Sequence, residues 1–430
     1  MRVVKVSLLA SCLLAAFIPV LALASIVGDA SVSPSASPKR IVIAAGTMLD
    51  GKGLLLHNVR IIVEGSKIVA IDAKAGPVDY DLRALTVLPG WIDGHVHITW
   101  SFGPDGKNAG PDATTQSAAY AAASNAFVTL MAGFTTVQSV GSIGDVPLRD
   151  AIARGLLPGP RILTAIEPLF GRGAATGTPD DIRTFVRKQK EAGANLIKIF
   201  ASGGMTQGTM TLSQEQLNAA CDEAKQLGLR TLVHAYRDAV RAATLAGCTQ
   251  IEHGLGASDD DLKLMAERGT YLDPQAGLLL ETYLRYEDRF LAPPYYTEAA
   301  FAGMKDLIPA HQNFLRRAAR IPNLKVVYGT DAVAGAHGHN AEDFIHRVRD
   351  AGIDPMAAMI SANALAAEAL GMSDQIGSIA PGAQADIIAL DGDPLKDITA
   401  VRRVAFVMKG GVVFKNVSRN AVSVDENARP

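Results

Sequence analysis

The middle of this 430-residue chain alternates short apolar segments with longer amphipathic ones, and this alternation restricts the fold more than any other feature. The short segments have the length and the β-branched content of strands, and segments with helical spacing separate them. The predicted strands are residues 90–98, 134–140, 161–166, 195–201, 230–236, 249–254, 270–275 and 325–332. Eight strands alternating with helices predict an α/β fold, a (β/α)8 TIM barrel. A doubly wound parallel sheet is the main alternative.

Helix boundaries can be read in the segment 212–228, "LSQEQLNAACDEAKQLG". Ser213 followed by Gln216 predicts a capping box at its start, and Gly228 predicts its end. Residues 238–247 predict a further helix in the same region.

Both ends of the chain differ from this middle, because they consist of short strand-like runs with Gly and Asp turns. We therefore predict that residues 41–88 and 373–420 together build one small β-sandwich. The barrel is expected to span residues 89–372, and residues 421–430 to form a tail.

Residues 1–24 carry two early positive charges, a long apolar run and then Ala22-Leu23-Ala24, the pattern of a secretory signal peptide. A membrane anchor is the alternative, because the apolar run approaches the length of a span. Leu9 to Cys12 also resembles a lipoprotein cleavage box, which leaves lipidation of Cys12 open. We expect a secreted or periplasmic protein without a stable membrane span after cleavage, whose residues 25–40 are a flexible lead-in.

Composition excludes some partners and leaves others open. The formal net charge is −2 and no long basic run is present, so nothing indicates a nucleic acid partner. Hydrophobic residues make up 48% of the chain, as in a well-buried globular enzyme. Cleavage would leave Cys221 and Cys248, which lack zinc-type spacing. A disulfide between them is possible, but sequence alone does not show that they are close.

The first predicted barrel strand ends in "GHVH", with His95 and His97. Residues two apart in a strand project to the same side, so both imidazoles can face one metal ion. Two core histidines are an equally good interpretation of this pair in isolation.

Further polar residues lie at the ends of later predicted strands. Lys198 stands in the apolar run "NLIKIF", where a charged amine is costly unless it is paired or neutral. His234, His253 and Asp331 close the fifth, sixth and eighth strands. In a barrel these ends meet at one mouth, where active sites of this fold lie.

These residues in this order, with "PGWIDGHVH" and "GTDA" around them, resemble the metal-dependent amidohydrolase superfamily. The segments "IKIFASGG", "VHAY", "QIEHG" and "YGTDA" are similar to its Xaa-Pro dipeptidase-like and ochratoxin-hydrolysing group. The resemblance covers essentially the whole chain after the predicted leader, including the divided sandwich.

The resemblance implies a binuclear centre, with zinc favoured over manganese or cobalt. His95, His97 and Asp331 would hold the more buried ion and His234 and His253 the outer ion. Lys198, carboxylated by CO2, would bridge the two. The implied reaction is hydrolysis of an amide by attack of a metal-bridging hydroxide. Asp331 would transfer the proton, and Tyr236, which could instead be a packing residue, would hydrogen-bond the oxyanion.

Substrate contacts are less determined by the sequence. Gln138-Ser139 and Arg172 depart from the family pattern near the pocket. Arg172 or Arg237 could bind a substrate carboxylate, although a solvated surface role fits either residue. The other candidate contacts are His337, Gly203 and Gly204, whereas His57, His311 and His346 are interpreted as structural or surface residues.

The resemblance implies hydrolysis of the amide bond to a C-terminal amino acid, in a dipeptide or an N-acyl amino acid such as ochratoxin A. An Xaa-Pro dipeptidase proper is one alternative. A cyclic-amide hydrolase of the imidazolonepropionase type is another, although that group generally lacks the bridging lysine. A catalytically dead binding barrel is the non-enzymatic alternative. Relatives imply a homo-oligomer, up to an octamer.

Overall fold

The structure, a computed structural model, describes residues 39–110, 115–292 and 296–417. The predicted signal peptide with Cys12, the lead-in up to residue 38 and the tail 421–430 lie outside the described residues.

The described chain contains strands at seven of the eight predicted central positions, the exception being residues 325–332, and further strands elsewhere. They are β1 Arg40–Leu49, β2 Leu55–Glu64, β3 Lys67–Ile71, β4 Tyr80–Pro89, β5 Trp91–Val96, β6 Phe134–Ser139, β7 Arg161–Thr164, β8 Leu169–Phe170, β9 Leu196–Phe200, β10 Arg230–Ala235, β11 Gln250–His253, β12 Tyr271–Asp273, β13 Ile387–Leu390, β14 Val404–Lys409 and β15 Val412–Asn416.

Helices fill the intervals between the central strands. They are α1 Gln116–Met131, α2 Asp145–Ala153, α3 Pro179–Glu191, α4 Gln214–Gln226, α5 Asp238–Leu245, α6 Asp259–Arg268, α7 Leu278–Arg285, α8 Glu287–Phe290, α9 Glu298–Ala318, α10 Glu342–Ile345, α11 Pro355–Ser361 and α12 Ala364–Ala369. A π-helical turn covers His346–Asp350 and a 3₁₀ turn covers Ile398–Arg402.

Both ends of the described chain contribute to one seven-stranded sheet with the order β15-β14-β13-β4-β1-β2-β3. β1 and β4 are parallel and the other neighbours are antiparallel. Its buried face is apolar, with Ile43, Val87, Ile387 and Phe406 fully enclosed. The predicted association of the two ends is therefore confirmed, whereas its two-layer sandwich form stays a prediction.

The central strands are parallel and lie in two sheets, β5-β6-β7 and β12-β11-β10-β9-β8. The segment after the third predicted strand links these sheets, because β7, within predicted residues 161–166, pairs with β6, whereas the separate short strand β8 that follows pairs with β9. Ile166, with φ 61°, lies between β7 and β8. A left-handed residue at this point turns the chain from one sheet to the other.

The eighth predicted strand, residues 325–332, forms single bridges instead of a continuous ladder. Val326 bridges to Leu272 of β12, and Ala332 bridges to Val96 of β5, so this segment also connects the two sheets. Between the bridges, the backbone N–H of Thr330 donates to the Asp93 carboxylate at 3.0 Å instead of a strand carbonyl. The ladder is interrupted here because the Asp93 side chain accepts the hydrogen bond that a strand carbonyl would otherwise accept.

The helix signals in the sequence are confirmed at α4. Ser213 and Gln216 form the reciprocal capping box, and Gly228, with φ 68°, follows the last turn. α5 likewise lies within the predicted residues 238–247. In a separate core, Trp91 packs against Phe134 and Phe344 with ring centroids 5.4 and 5.0 Å apart.

A disulfide joins Cys221 of α4 to Cys248, which lies just before β11. Both cysteines are buried in the core that supports β9, β10 and β11. The pairing left open by the sequence is therefore present. In the part of the chain described here, every helix is too short or too polar to cross a bilayer.

Candidate metal centre

Three side chains from opposite ends of the sequence converge at the carboxyl end of β5. His97 Nε2 lies 3.0 Å from Asp331 Oδ1, and His95 Nε2 lies 3.4 Å from the same oxygen. All three residues are buried, and their donor atoms are close enough to share one ion. The His-x-His pair thus faces one point with Asp331, as the alternation of a strand predicts.

Asp331 Oδ1 supplies a test of whether these residues fit a metal. This buried oxygen receives no hydrogen bond from any described residue, despite its closeness to the two imidazoles. Burial alone would raise the Asp331 pKa, but the neighbouring His95, His97 and His253 lower it, so the carboxyl is an anion. A buried anion beside imidazole nitrogens, without a hydrogen bond of its own, fits a divalent cation.

Lys198 of β9 lies at the same point. Its Nζ is 3.4 Å from His95 Nε2 and 5.1 Å from the centre of the Phe200 ring. Burial lowers the Lys198 pKa, against the opposing charges of Glu252, Asp331 and Asp273. The neutral amine that this shift favours is the form that reacts with CO2.

The rings of His234 and His253 have centroids 4.6 Å apart, close enough to Lys198 for its charge to act on both. Burial lowers the pKa of His234 to about 3 and that of His253 well below its usual value. Both imidazoles are therefore neutral, which is the form that binds metals. His234 Nε2 lies 3.2 Å from the Gly203 carbonyl, so it carries the hydrogen and leaves Nδ1 for a ligand.

The carboxyl ends of these strands are conformationally strained. Left-handed backbone at residues other than glycine occurs at Ile166, Arg237, His253, Gln275 and Asp331, which follow or end five of the central strands. Such backbone costs about 1–3 kcal/mol at each residue and persists where surrounding contacts impose it. At His253 and Asp331 it directs two candidate ligands into the centre.

A buried polar network beneath His95 was missed by the sequence analysis. Glu252 Oε2 lies 2.5 Å from His95 Nδ1, and Gln275 Nε2 donates to the same oxygen at 3.1 Å. Asp273 lies close to His95 and Glu252, and its Oδ1 is 3.7 Å from Arg347 Nη2. Glu252 precedes a predicted ligand in "QIEHG", where strand alternation argues against its facing the same centre.

Asp93, in "WIDGHVH", is a second missed residue. Its carboxylate accepts hydrogen bonds from the Thr330 hydroxyl and from Asn340 Nδ2, each at 2.7 Å. Burial raises the Asp93 pKa to about 6, although these hydrogen bonds oppose the shift. Asp93 thereby joins β5 to the segment that carries Asp331, and its proximity to the His-x-His pair is the one sequence signal for it.

The predicted substrate contacts lie in different surroundings. Tyr236 is buried, with its ring stacked on His253 at 5.0 Å. His337 is also buried, and its Nε2 lies 3.2 Å from the Trp100 carbonyl. Trp100 in turn packs on His97 at 4.1 Å. Burial lowers the His337 pKa to about 4, so the ring is neutral.

The two candidate arginines differ in their contacts. Arg237 Nη2 donates to the Thr206 carbonyl at 3.4 Å, and its chain packs on Gly208 and Gly256. Arg172 is exposed, and none of the described residues forms a hydrogen bond or ion pair with its guanidinium. Gly203 and Gly204 belong to the turn that contacts His234 and Arg237.

Two phenylalanines form an aromatic pair beside the candidate outer ligands. The rings of Phe170 and Phe200 are parallel, with centroids 4.7 Å apart, and Phe200 lies 4.9 Å from His234. Phe170 is 48% exposed although its neighbours are apolar. The pair therefore extends from the protein surface to His234.

Comparison with known proteins agrees with this geometry. The amidohydrolase family matches residues 86–414. Ochratoxinase from Aspergillus niger is 25% identical over 433 residues, covering 88% of this chain and 87% of that protein. A Xaa-Pro dipeptidase structure with methionine in its active site is 29% identical, with a TM-score of 0.79, over 88% of this chain and 100% of that one. The A. niger ochratoxinase structure, 22% identical over 88% of this chain and 96% of that one, shares the fold with a TM-score of 0.74.

The buried donors, the parallel central strands and these relatives define a metal-dependent hydrolase that acts on amide or peptide bonds. The chain belongs to the amidohydrolase family. The family resemblance predicted from the sequence is therefore confirmed.

Proposed function

We propose that this enzyme hydrolyses the amide bond to a C-terminal amino acid at a binuclear metal centre. The observation that carries the proposal is the convergence of His95, His97 and Asp331 on one buried point. Lys198 adjoins that point at 3.4 Å, and His234 and His253 adjoin Lys198.

We interpret the central strands as a closed (β/α)8 barrel at residues 89–372. Two connections between the sheets support closure: β8 follows β7 within five residues and pairs with the other sheet, and residues 325–332 bridge β12 to β5. The seven-stranded sheet then corresponds to the sandwich of residues 41–88 and 373–420. In such a barrel the candidate ligands occupy the face where active sites lie.

His95, His97 and Asp331 would hold one ion, and His234 and His253 the other. Lys198 would bridge them as a carbamate: its neutral Nζ attacks CO2, an N–C bond forms and one proton is released. Imidazole and carboxylate donors suit zinc, with manganese or cobalt as alternatives. When bound, the ions would activate a water molecule and polarise the scissile carbonyl.

The residues of the chain have separate tasks in this reaction. Asp331, an anion at the centre, accepts the proton of the attacking water and passes it to the leaving nitrogen. The Tyr236 hydroxyl, un-ionised because burial raises its pKa well above 10, donates to the carbonyl oxygen. Partly buried Trp100 and buried His337 cover the His97 side and exclude water.

The preferred substrate has an apolar or aromatic group and a free carboxylate. Phe170 and Phe200 offer a flat apolar face next to His234, and Arg172 is free to pair with an anion. The named relatives include an ochratoxinase and an Xaa-Pro dipeptidase. Ochratoxin A, an N-acyl phenylalanine, fits both features and would yield phenylalanine and ochratoxin alpha.

The alternatives differ in specific ways. An Xaa-Pro dipeptidase would use the same centre, with proline as the released residue. A cyclic-amide hydrolase of the imidazolonepropionase type would not need the lysine at the centre, so Lys198 argues against it. A dead binding barrel would not need the full ligand set.

A substrate panel with the metal-loaded enzyme tests the proposal. N-acyl phenylalanines including ochratoxin A, Xaa-Pro dipeptides and a cyclic amide are compared, with the C-terminal amide of the best substrate as control. Release of phenylalanine from the free acid, but not from its amide, is expected. Rapid cleavage of Xaa-Pro dipeptides without phenylalanine release would establish the dipeptidase alternative, and a protein that binds no metal would refute the proposal.

Localisation and assembly complete the proposal. We propose export to the periplasm or the medium, which the Cys221–Cys248 disulfide supports because such bonds persist in oxidising compartments. The expected homo-oligomer, up to an octamer, is tested by light scattering of the purified enzyme.

A further inference from the structure

Glu252 is completely enclosed and contacts a candidate metal ligand on the side away from the centre. Its Oε2 lies 2.5 Å from His95 Nδ1, and its Oε1 accepts a hydrogen bond from Gln250 Nε2 at 2.9 Å. Both side chains of the pair are 1% exposed or less. A buried carboxylate this close to an imidazole forms a charge-assisted hydrogen bond.

The surrounding amides determine which atom carries the hydrogen. Gln275 Nε2 lies 3.2 Å from His95 Nδ1 and 3.1 Å from Glu252 Oε2. A carboxylate only accepts, so Nδ1 must donate to Glu252, and Gln275 must donate to the carboxylate as well. His95 therefore has its hydrogen on Nδ1, and its Nε2 lone pair faces Asp331 and Lys198.

We propose that Glu252, held by Gln250 and Gln275, is a positioning residue that fixes the tautomer and ring orientation of His95 for the more buried ion. The inference rests on the proposed metal centre and adds a residue that touches neither ion nor substrate. Carboxylate partners of ligand histidines raise their basicity, and their loss commonly weakens metal binding about 10–100-fold.

A competing assignment makes Glu252 itself a ligand, because His95, Glu252 and Asp273 have donor atoms within 4.8 Å of one another. The contacts favour the positioning role. Both oxygens of Glu252 are occupied by amide and imidazole hydrogens, and Arg347 lies 3.7 Å from Asp273. Arg347 therefore supplies part of the positive charge that the carboxylates of Glu252 and Asp273 require, and no metal ion is needed for that part.

The test is the affinity of the protein for zinc, measured by competition with a chromophoric chelator. Glu252→Gln keeps the shape of the side chain but places an amide where His95 Nδ1 and Gln275 Nε2 both donate. Glu252→Asp keeps the charge, but its shorter side chain holds the carboxylate farther from His95. Glu223→Gln is the matched control: Glu223 is a buried carboxylate on α4, paired with Arg187 at 2.8 Å, outside the centre.

Wild type and Glu223→Gln are expected to bind two ions alike. Glu252→Gln should bind one of the two ions about 10–100-fold more weakly. The affinity of Glu252→Asp should lie between those of wild type and Glu252→Gln. Excess zinc should restore activity to both variants. Unchanged affinity in both Glu252 variants would overturn the inference, as would a third ion in wild type that Glu252→Gln lacks. A wild-type protein without metal would instead refute the proposed function, so the two failures are distinct.

Discussion

Glu252 and His253 are consecutive residues, yet both side chains contact candidate metal ligands, because His253 has a left-handed backbone with φ 66°. In a regular strand their side chains would point to opposite faces. Glu252 reaches His95 at 2.5 Å, while the His253 ring lies 4.6 Å from that of His234. The end of β11 thus provides His253 as a candidate ligand and Glu252 as the hydrogen-bond partner of a second candidate ligand, His95.

Replacement of Asp331 by Asn should remove both a ligand and the proton acceptor. We expect kcat/KM to fall about 10²–10⁴-fold, the usual contribution of a positioned acid–base group, and metal content to decrease. Steady-state kinetics and metal analysis check this. The exposed Asp222→Asn serves as control, and an Asp331→Asn enzyme of normal activity would contradict the assigned role.

The positions of the candidate ligands could be predicted because each lies within or at the end of a short apolar run. His95, Lys198, His234 and Asp331 follow short β-branched runs, and parallel strands bring such ends to one side whatever the loops do. The helix start at Ser213 is similarly local, since capping depends on residues three apart.

The missed features depend on contacts that are distant in sequence. Glu252 lies beneath His95 because of one left-handed residue, and Asp93 interrupts the eighth strand through Thr330, 237 positions away. The Cys221–Cys248 bond requires α4 and the start of β11 to be adjacent. No local pattern encodes these pairings, so they become visible only when the strand order is known.

Arg172 is predicted to recognise the substrate carboxylate. Arg172→Gln should raise KM about 10–100-fold for free-acid substrates, the equivalent of losing charge-assisted hydrogen bonds of about 1.5–3 kcal/mol. Exposed Arg154→Gln is the control, and a C-terminal amide substrate should show no change with either variant. An equal rise in KM for acid and amide would exclude carboxylate recognition.

The disulfide is predicted to stabilise the fold without taking part in catalysis. It closes a loop of 27 residues, which corresponds to about 3.5 kcal/mol in the chain-entropy model. The Cys221→Ala, Cys248→Ala double variant should lose up to this free energy of unfolding in urea titrations. Its kcat at 25 °C should remain that of wild type, and a large loss of kcat in the folded variant would contradict a purely structural role.

His346 is predicted to make stability depend on pH, away from the metal centre. Burial alone would lower its pKa, but hydrogen bonds to Asp350 at 2.7 Å and Glu281 at 3.4 Å, with the charge of Asp343, raise it above the ordinary histidine value of about 6.5. Protonated His346 therefore stabilises the folded state fully below about pH 6.5, and this contribution is lost as pH rises through the higher folded-state pKa.

His346→Gln should consequently lower the free energy of unfolding more at pH 5.5 than at pH 9. The His346 side chain is 25% exposed, so solvent partly screens its ion pairs. We therefore expect the loss at pH 5.5 to exceed the loss at pH 9 by about 1.5 kcal/mol, the lower end of the range for a hydrogen bond to a charged group. Urea unfolding at the two pH values measures it, and exposed His57→Gln is the control. Loss of packing against Gly277 is the same at both pH values, so only the difference reports the ion pairs. Equal losses at pH 5.5 and pH 9 would show that these pairs contribute nothing.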